Sequence, residues 1–134
     1  RDDVESRGLG DVYKRQGREV MEKYLQKYKD IDVVVSQNDD MTFGAIEAIR
    51  AAGKTTGTGG DITLISFDGT RSALEKVKSG VINVDIECNP LQGTYIQEII
   101  NRLEDGESVD KINYVEEKVY TQKNVLSVLG DRVY

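Results

Sequence analysis

The sequence predicts an α/β fold built on a mostly parallel sheet, and three observations predict it. Two apolar runs, Val33-Val34-Val35 and Ile62 to Phe67, end abruptly in polar groups at Ser36-Gln37-Asn38-Asp39-Asp40 and at Asp68-Gly69-Thr70. Each run is followed by a segment with helical spacing. The alternation of helix and strand then persists along the chain, which implies right-handed crossovers and a sheet covered on both faces. Buried parallel strands read as near-continuous apolar runs. In open α/β sheets ligands bind beyond the carboxyl ends of the strands, so the polar strand ends are the candidate ligand contacts.

Taken in order, residues 1–16 show neither helical nor strand periodicity, and Gly10 to Gln16 resembles translated adapter sequence. They are expected to be a non-native or disordered leader outside the fold. Val20, Met21, Tyr24, Leu25 and Tyr28 then mark one face of a helix over residues 17–29. A fold that opens abruptly in a helix suggests a fragment. Asp32 to Gln37 is the first strand, and Asp39 or Asp40 is placed to cap the next helix. That helix buries Met41, Ala45, Ile46, Ala48, Ile49 and Ala52, and Gly53 stops it.

Residues 54–60 read as a flexible connection, and Ile62 to Phe67 as the second strand. Arg71 to Ser79 is a short helix with Leu74 and Val77 inward, stopped by Gly80. Val81 to Ile86 is the third strand. Asn89-Pro90 marks a boundary, because the residue before proline avoids helical geometry. Leu91, Tyr95, Ile96, Ile99, Ile100 and Leu103 define the best amphipathic helix of the chain, and a last strand is expected from Ile112 to Tyr120.

Composition narrows the function. The chain has 134 residues, 38% hydrophobic and 31% charged, with a net charge of −6. One domain with a core fits that length. The acidic balance argues against a nucleic-acid surface, which needs clustered Lys and Arg. No apolar stretch is long enough to span a membrane. With Cys88 alone, no intrachain disulfide forms; with no histidine, a Ser-His-Asp triad is excluded within the chain.

The polar groups admit competing readings. Phe67-Asp68-Gly69-Thr70 has the end of a phosphatase signature, but the position of the nucleophilic carboxylate is Ser66. Asp68 then either fixes a turn with Gly69 or faces a ligand. Asp39 and Asp40 read as capping groups at a helix start rather than metal ligands. Asn38 stands at the strand tip, where an amide offers both donor and acceptor to a hydroxyl-rich ligand. Gly57-Thr58-Gly59-Gly60 follows a helix and precedes a strand, the reverse of a phosphate-cradling loop. Cys88 reads as a packed small residue rather than a nucleophile. Glu87, at the end of the third strand, faces either a polar cleft or solvent at a hinge.

Three segments together carry a family resemblance. Ser36-Gln37-Asn38-Asp39-Asp40-Met41-Thr42-Phe43-Gly44-Ala45-Ile46 resembles the "QND-(D/E)-M-x-x-G-A" segment of type-1 periplasmic sugar-binding proteins. Ile65-Ser66-Phe67-Asp68-Gly69-Thr70 resembles their "GFDGT" strand end. Val84 to Gly93 is similar to the "T-V-E-C-N-P-L-x-G" crossover of the ribose- and galactofuranose-binding branch, and Asp131-Arg132-Val133-Tyr134 to its carboxyl terminus.

The resemblance implies two Rossmann-like lobes that close around a monosaccharide, a pentose or hexose, and deliver it to the permease of an ABC importer. It implies no catalysis, no cofactor, no metal, no nucleic acid and no membrane insertion by this chain, and a periplasmic or extracytoplasmic location. This chain would be the C-terminal half: residues 17–88 the C-terminal lobe, residues 89–134 a crossover helix, hinge strand and tail. Asn38 and Asp68 match positions whose side chains bond sugar hydroxyls. In ribose binders a glutamine stands in place of Cys88, which moves attention to Glu87 as the third contact. The helix from Leu91 to Leu103, lacking the first lobe, is expected to expose its apolar stripe. The alternative is the effector domain of a lactose-repressor-type regulator. Such regulators carry a "P-P-L-T-T-V-R-Q-P" crossover, which Gly80 to Pro90 does not match.

Overall fold

Each apolar run pairs in parallel with the next, because an intervening helix returns the chain to the same end of the sheet. The computed structural model describes residues 8–134. Its elements are α1 (Leu9–Lys27), β1 (Val33–Val35), α2 (Asp39–Ala51), β2 (Thr63–Asp68), α3 (Arg71–Lys78), β3 (Val84–Glu87), α4 (Gly93–Glu104), β4 (Val119–Tyr120) and α5 (Leu126–Leu129). The sheet order is β1-β2-β3-β4; only β4 is antiparallel, against β3.

The register sets which residues share a face. Ser66 lies beside Asp85, and Asp68 beside Glu87. On that face Leu64 packs in a core with Ala45, Ile46 and Ile49 of α2, Ala73, Leu74 and Val77 of α3, and Ile82, Tyr120 and Val125. Fully burying one such aliphatic side chain stabilises by about 1.5–3 kcal/mol. The opposite face carries Val33, Val35, Ile65, Phe67, Val84, Ile86 and Val119. None of these belongs to the core, and Val33, Val35 and Val119 are largely exposed. The expectation of a sheet covered on both faces is therefore corrected. Two successive crossovers of one hand along β1-β2-β3 place α2 and α3 on a single side.

α1 begins at Leu9, eight residues before the expected start at residue 17. The first seven residues of the expected leader lie outside the described residues, and the rest from Leu9 is helical. The period was invisible because this face is made of glycine and backbone. A side-chain carbon on Gly44 of α2 would fall on the Lys14 carbonyl, and one on Gly17 would fall on that of Met41. Close helix approach leaves no apolar stripe to read, and Val12 and Tyr13 point outward.

The loop at residues 54–60 is pinned rather than loose. Thr55 N and Oγ1 both donate to Asp61 Oδ2, at 2.7 and 2.6 Å. Thr58 N donates to the Gly80 carbonyl at 2.8 Å, and Thr58 Oγ1 donates to Gln122 Oε1 at 2.8 Å. Gly57, at φ +88°, lies so close to Gly80 that any side chain there would meet the Gly80 carbonyl.

The last expected strand shortens to Val119–Tyr120. Ile112 and Tyr114 are exposed at 67% and 89%, and only the residues opposite Asp85 and Ile86 find a ladder partner. α4 buries none of its residues, and Tyr95, Ile96, Ile100 and Leu103 are exposed along one stripe, as expected.

Candidate functional site

The carboxyl ends of β1 and β2 converge through a small set of polar bonds. Asn38 leaves β1 in extended geometry and caps α2, its Oδ1 accepting from Met41 N at 2.8 Å. Its carbonyl accepts from Thr42 Oγ1 at 3.0 Å and from Ser36 Oγ at 3.1 Å. The cap is therefore Asn38, not Asp39 or Asp40; an Asx side chain one residue before the first helical residue reaches the exposed N–H groups best. The Asn38 amide nitrogen has no bonded partner among the described residues, and the residue is half-buried.

Asp68 closes β2 in a backbone conformation with φ +119°, the one non-glycine positive φ among the described residues. L side chains rarely adopt it, and such strain persists only where the surroundings enforce it. The enforcement is visible. The Asp68 carbonyl accepts from Cys88 N at 3.1 Å, and its Oδ2 accepts from Asp39 N at 3.4 Å. Asp39 directly follows Asn38, so this bond brings the two expected contacts to one strand edge. Partial burial pushes the Asp68 carboxyl above its ordinary value. The Asp39 N–H offsets part of that, and the Asp39 and Asp40 charges push it further up.

Glu87 takes a different place. It is buried at 8% exposure. Its Oε2 accepts from Lys118 N at 3.1 Å and Tyr120 OH at 3.0 Å, and its Oε1 accepts from Arg132 Nη1 at 2.6 Å and Tyr134 OH at 2.7 Å. Arg132 also donates to the Tyr134 hydroxyl. Burial raises the Glu87 carboxyl, but the bonds from Tyr134, Arg132 and Tyr120 outweigh it and hold the group below its ordinary value. Both oxygens are committed, so Glu87 anchors the carboxyl-terminal tail to β3. Of the three expected contacts, Asn38 and Asp68 keep polar atoms available. A hollow of about 230 Å³ beside Glu87, Tyr120, Arg132 and Tyr134 follows this tail seam, and neither Asn38 nor Asp68 lines it.

Several polar roles escaped the sequence reading. Asp39 is a buried hub that accepts from Ser66 Oγ at 2.6 Å, Thr70 Oγ1 at 2.7 Å and Thr70 N at 2.9 Å. Ser66, the residue in the nucleophile position of the phosphatase signature, is fully buried in this network and bonded to Thr42 Oγ1. Cys88 is exposed instead of packed, because it follows the last residue of β3 and leaves the core with the chain. The described residues hold no cluster of metal-ligating side chains.

Comparison with known proteins shows the family. Residues 11–108 match the family described as "Periplasmic binding protein domain". The chain is 34% identical over 121 residues to the ribose import binding protein of Bacillus subtilis (strain 168), covering 90% of this chain and 38% of that protein. It is 31% identical over 115 residues to the galactofuranose-binding protein of Escherichia coli (strain K12), covering 83% of this chain and 36% of that one. A solved structure from Mycobacterium smegmatis in complex with β-D-fucofuranose superposes with a TM-score of 0.77 at 36% identity, over 91% of this chain and 40% of that one. The binding component of an arabinose ABC transporter from Shewanella sp. ANA-3, bound to L-arabinofuranose, superposes with a TM-score of 0.78 at 29% identity, over 92% and 41% of the two chains. The chain thus spans about two fifths of the length of such relatives, and it belongs to the periplasmic binding protein family.

Proposed function

We propose that this chain is the C-terminal lobe of a protein that holds a monosaccharide in a cleft between two lobes and presents it to the permease of an ABC importer outside the cytoplasm. The observation that carries the reading is the pairing of Asn38 and Asp68. Two parallel strands deliver an amide and a carboxylate to one edge, each with a polar atom left over after its structural bonds. A carboxylate and an amide can each bridge adjacent hydroxyls of a sugar. The protein is a binder and not a catalyst, in line with the solute-binding relatives. The sugar is a pentose or hexose, as the ribose- and galactofuranose-binding relatives suggest. The regulator alternative finds no support among the relatives.

Isothermal calorimetry of the two-lobed protein with D-ribose, L-arabinose and D-galactose tests the reading. Asn38→Ser keeps a capping oxygen and removes the amide donor, so affinity should fall while α2 stays capped. Asp68→Asn removes the charge. Each lost contact should cost roughly 1–3 kcal/mol of binding. Unchanged affinity in both variants would defeat the assignment.

A further inference from the structure

Beneath Asn38 and Asp68, on the core face of the sheet, two carboxyl groups are buried together. Asp39 is 1% exposed and Asp85 is 0% exposed. Their partners are unequal. Asp39 has three donors within 2.9 Å. Among the described residues Asp85 accepts a single long bond, from Gly69 N at 3.3 Å, and its Oδ2 has no partner. A buried carboxylate so poorly bonded is far costlier than the neutral acid. Ser66, the register neighbour of Asp85, also donates to Asp39, so the two buried carboxyl groups share one neighbour on the core face.

We infer that Asp85 is a neutral acid at physiological pH that donates its proton in a hydrogen bond to Asp39, and that this acid–carboxylate pair positions the turn from Asp68 to Thr70. The pair holds the turn from both sides. Asp85 takes the Gly69 N–H, Asp39 takes the Thr70 N–H and hydroxyl, and the Asp39 N–H holds Asp68 Oδ2. The strained backbone of Asp68 is fixed by those bonds. Burial, followed by the charge of Asp39, pushes the Asp85 carboxyl up to about 8. The groups that face it are Asp39 on α2, Asp68 at the end of β2 and Tyr120 on β4. None of these is a cation. Arg132 lies over the Tyr120 ring, with its charge engaged by Glu87. The importance of the pair for sugar binding rests on the proposed role of Asp68. The proton itself does not, and its test needs no ligand.

Carboxyl carbon NMR on the full chain reads the proton directly. Asp85 should titrate with a midpoint near 8, and the Gly69 and Thr70 amides should move with the same midpoint. Asp85→Asn keeps the size and an N–H donor toward Asp39, so those amides should hold still over that range. Thermal midpoints give a second readout. A raised folded-state pKa contributes stability that is present below the unfolded-state value and lost as pH rises through the folded-state value. The native chain should therefore weaken as pH rises from about 4 to about 8, and Asp85→Asn should weaken less. An Asp85 that titrates in the ordinary carboxylate range near 4 overturns the inference, and so do turn amides that ignore its midpoint. If Asp85→Asn does not fold, the native titration decides alone.

Discussion

α3 and α4 are both amphipathic, and they end in opposite situations. α3 is the shorter helix, yet it buries Ala73, Leu74 and Val77 completely against the sheet. α4 has a clear apolar stripe and buries nothing. The difference lies in what each meets. α3 sits in a crossover between two paired strands, so its apolar face is turned onto the sheet. α4 lies between the strand end at Cys88 and the short return at Val119, where no strand or helix among the described residues packs closely against it. An amphipathic pattern specifies which face wants a partner; it does not supply one. Under the proposed function the partner of α4 is the first lobe.

The largest test of this contrast concerns the clamp that keeps the packed region together. Glu87 and Arg132 form a salt bridge at 2.6 Å with side-chain exposures of 9% and 6%. Glu87→Ala leaves a buried guanidinium without its anion and should cost about 3–5 kcal/mol, measured by urea unfolding of the full chain. Acid should weaken the same clamp. The Glu87 carboxyl is held below its ordinary value, so its stabilisation is present above the unfolded-state value and is lost as pH falls through the folded-state value.

The next test separates the two helices directly. Leu74→Ala removes a side chain with no exposure and should destabilise by about 2–5 kcal/mol. Leu103→Ala removes one that is 57% exposed and should stay within about 0.5 kcal/mol. Equal losses for the two would mean that α4 is packed after all.

The sequence revealed the parts of the fold that rest on local pattern. The apolar runs at Val33 and Ile62 end in Asn38 and Asp68, and their placement at one edge follows from parallel pairing. Asp85 was not legible. Period-two alternation assigns Val84 and Ile86 to one face and Asp85 to the other without saying which is inside, and here the acidic residue is the buried one. The capping role of Asn38 was hidden because three polar residues in a row each suit a helix start. The partners of Glu87 were beyond local reading, since Arg132 and Tyr134 lie 45 and 47 residues away. The helix at residues 9–16 was missed because glycine and backbone carbonyls carry its packing.

Amide hydrogen exchange over α4 and α3, in this chain and in the two-lobed protein, tests most directly the claim that one region is a finished wall and the other an interface awaiting its partner. The account predicts that α3 amides are protected in both and that Ile96 to Leu103 gain protection only when the first lobe is present. Strong protection of α4 in this chain alone, or none gained in the two-lobed protein, would contradict it.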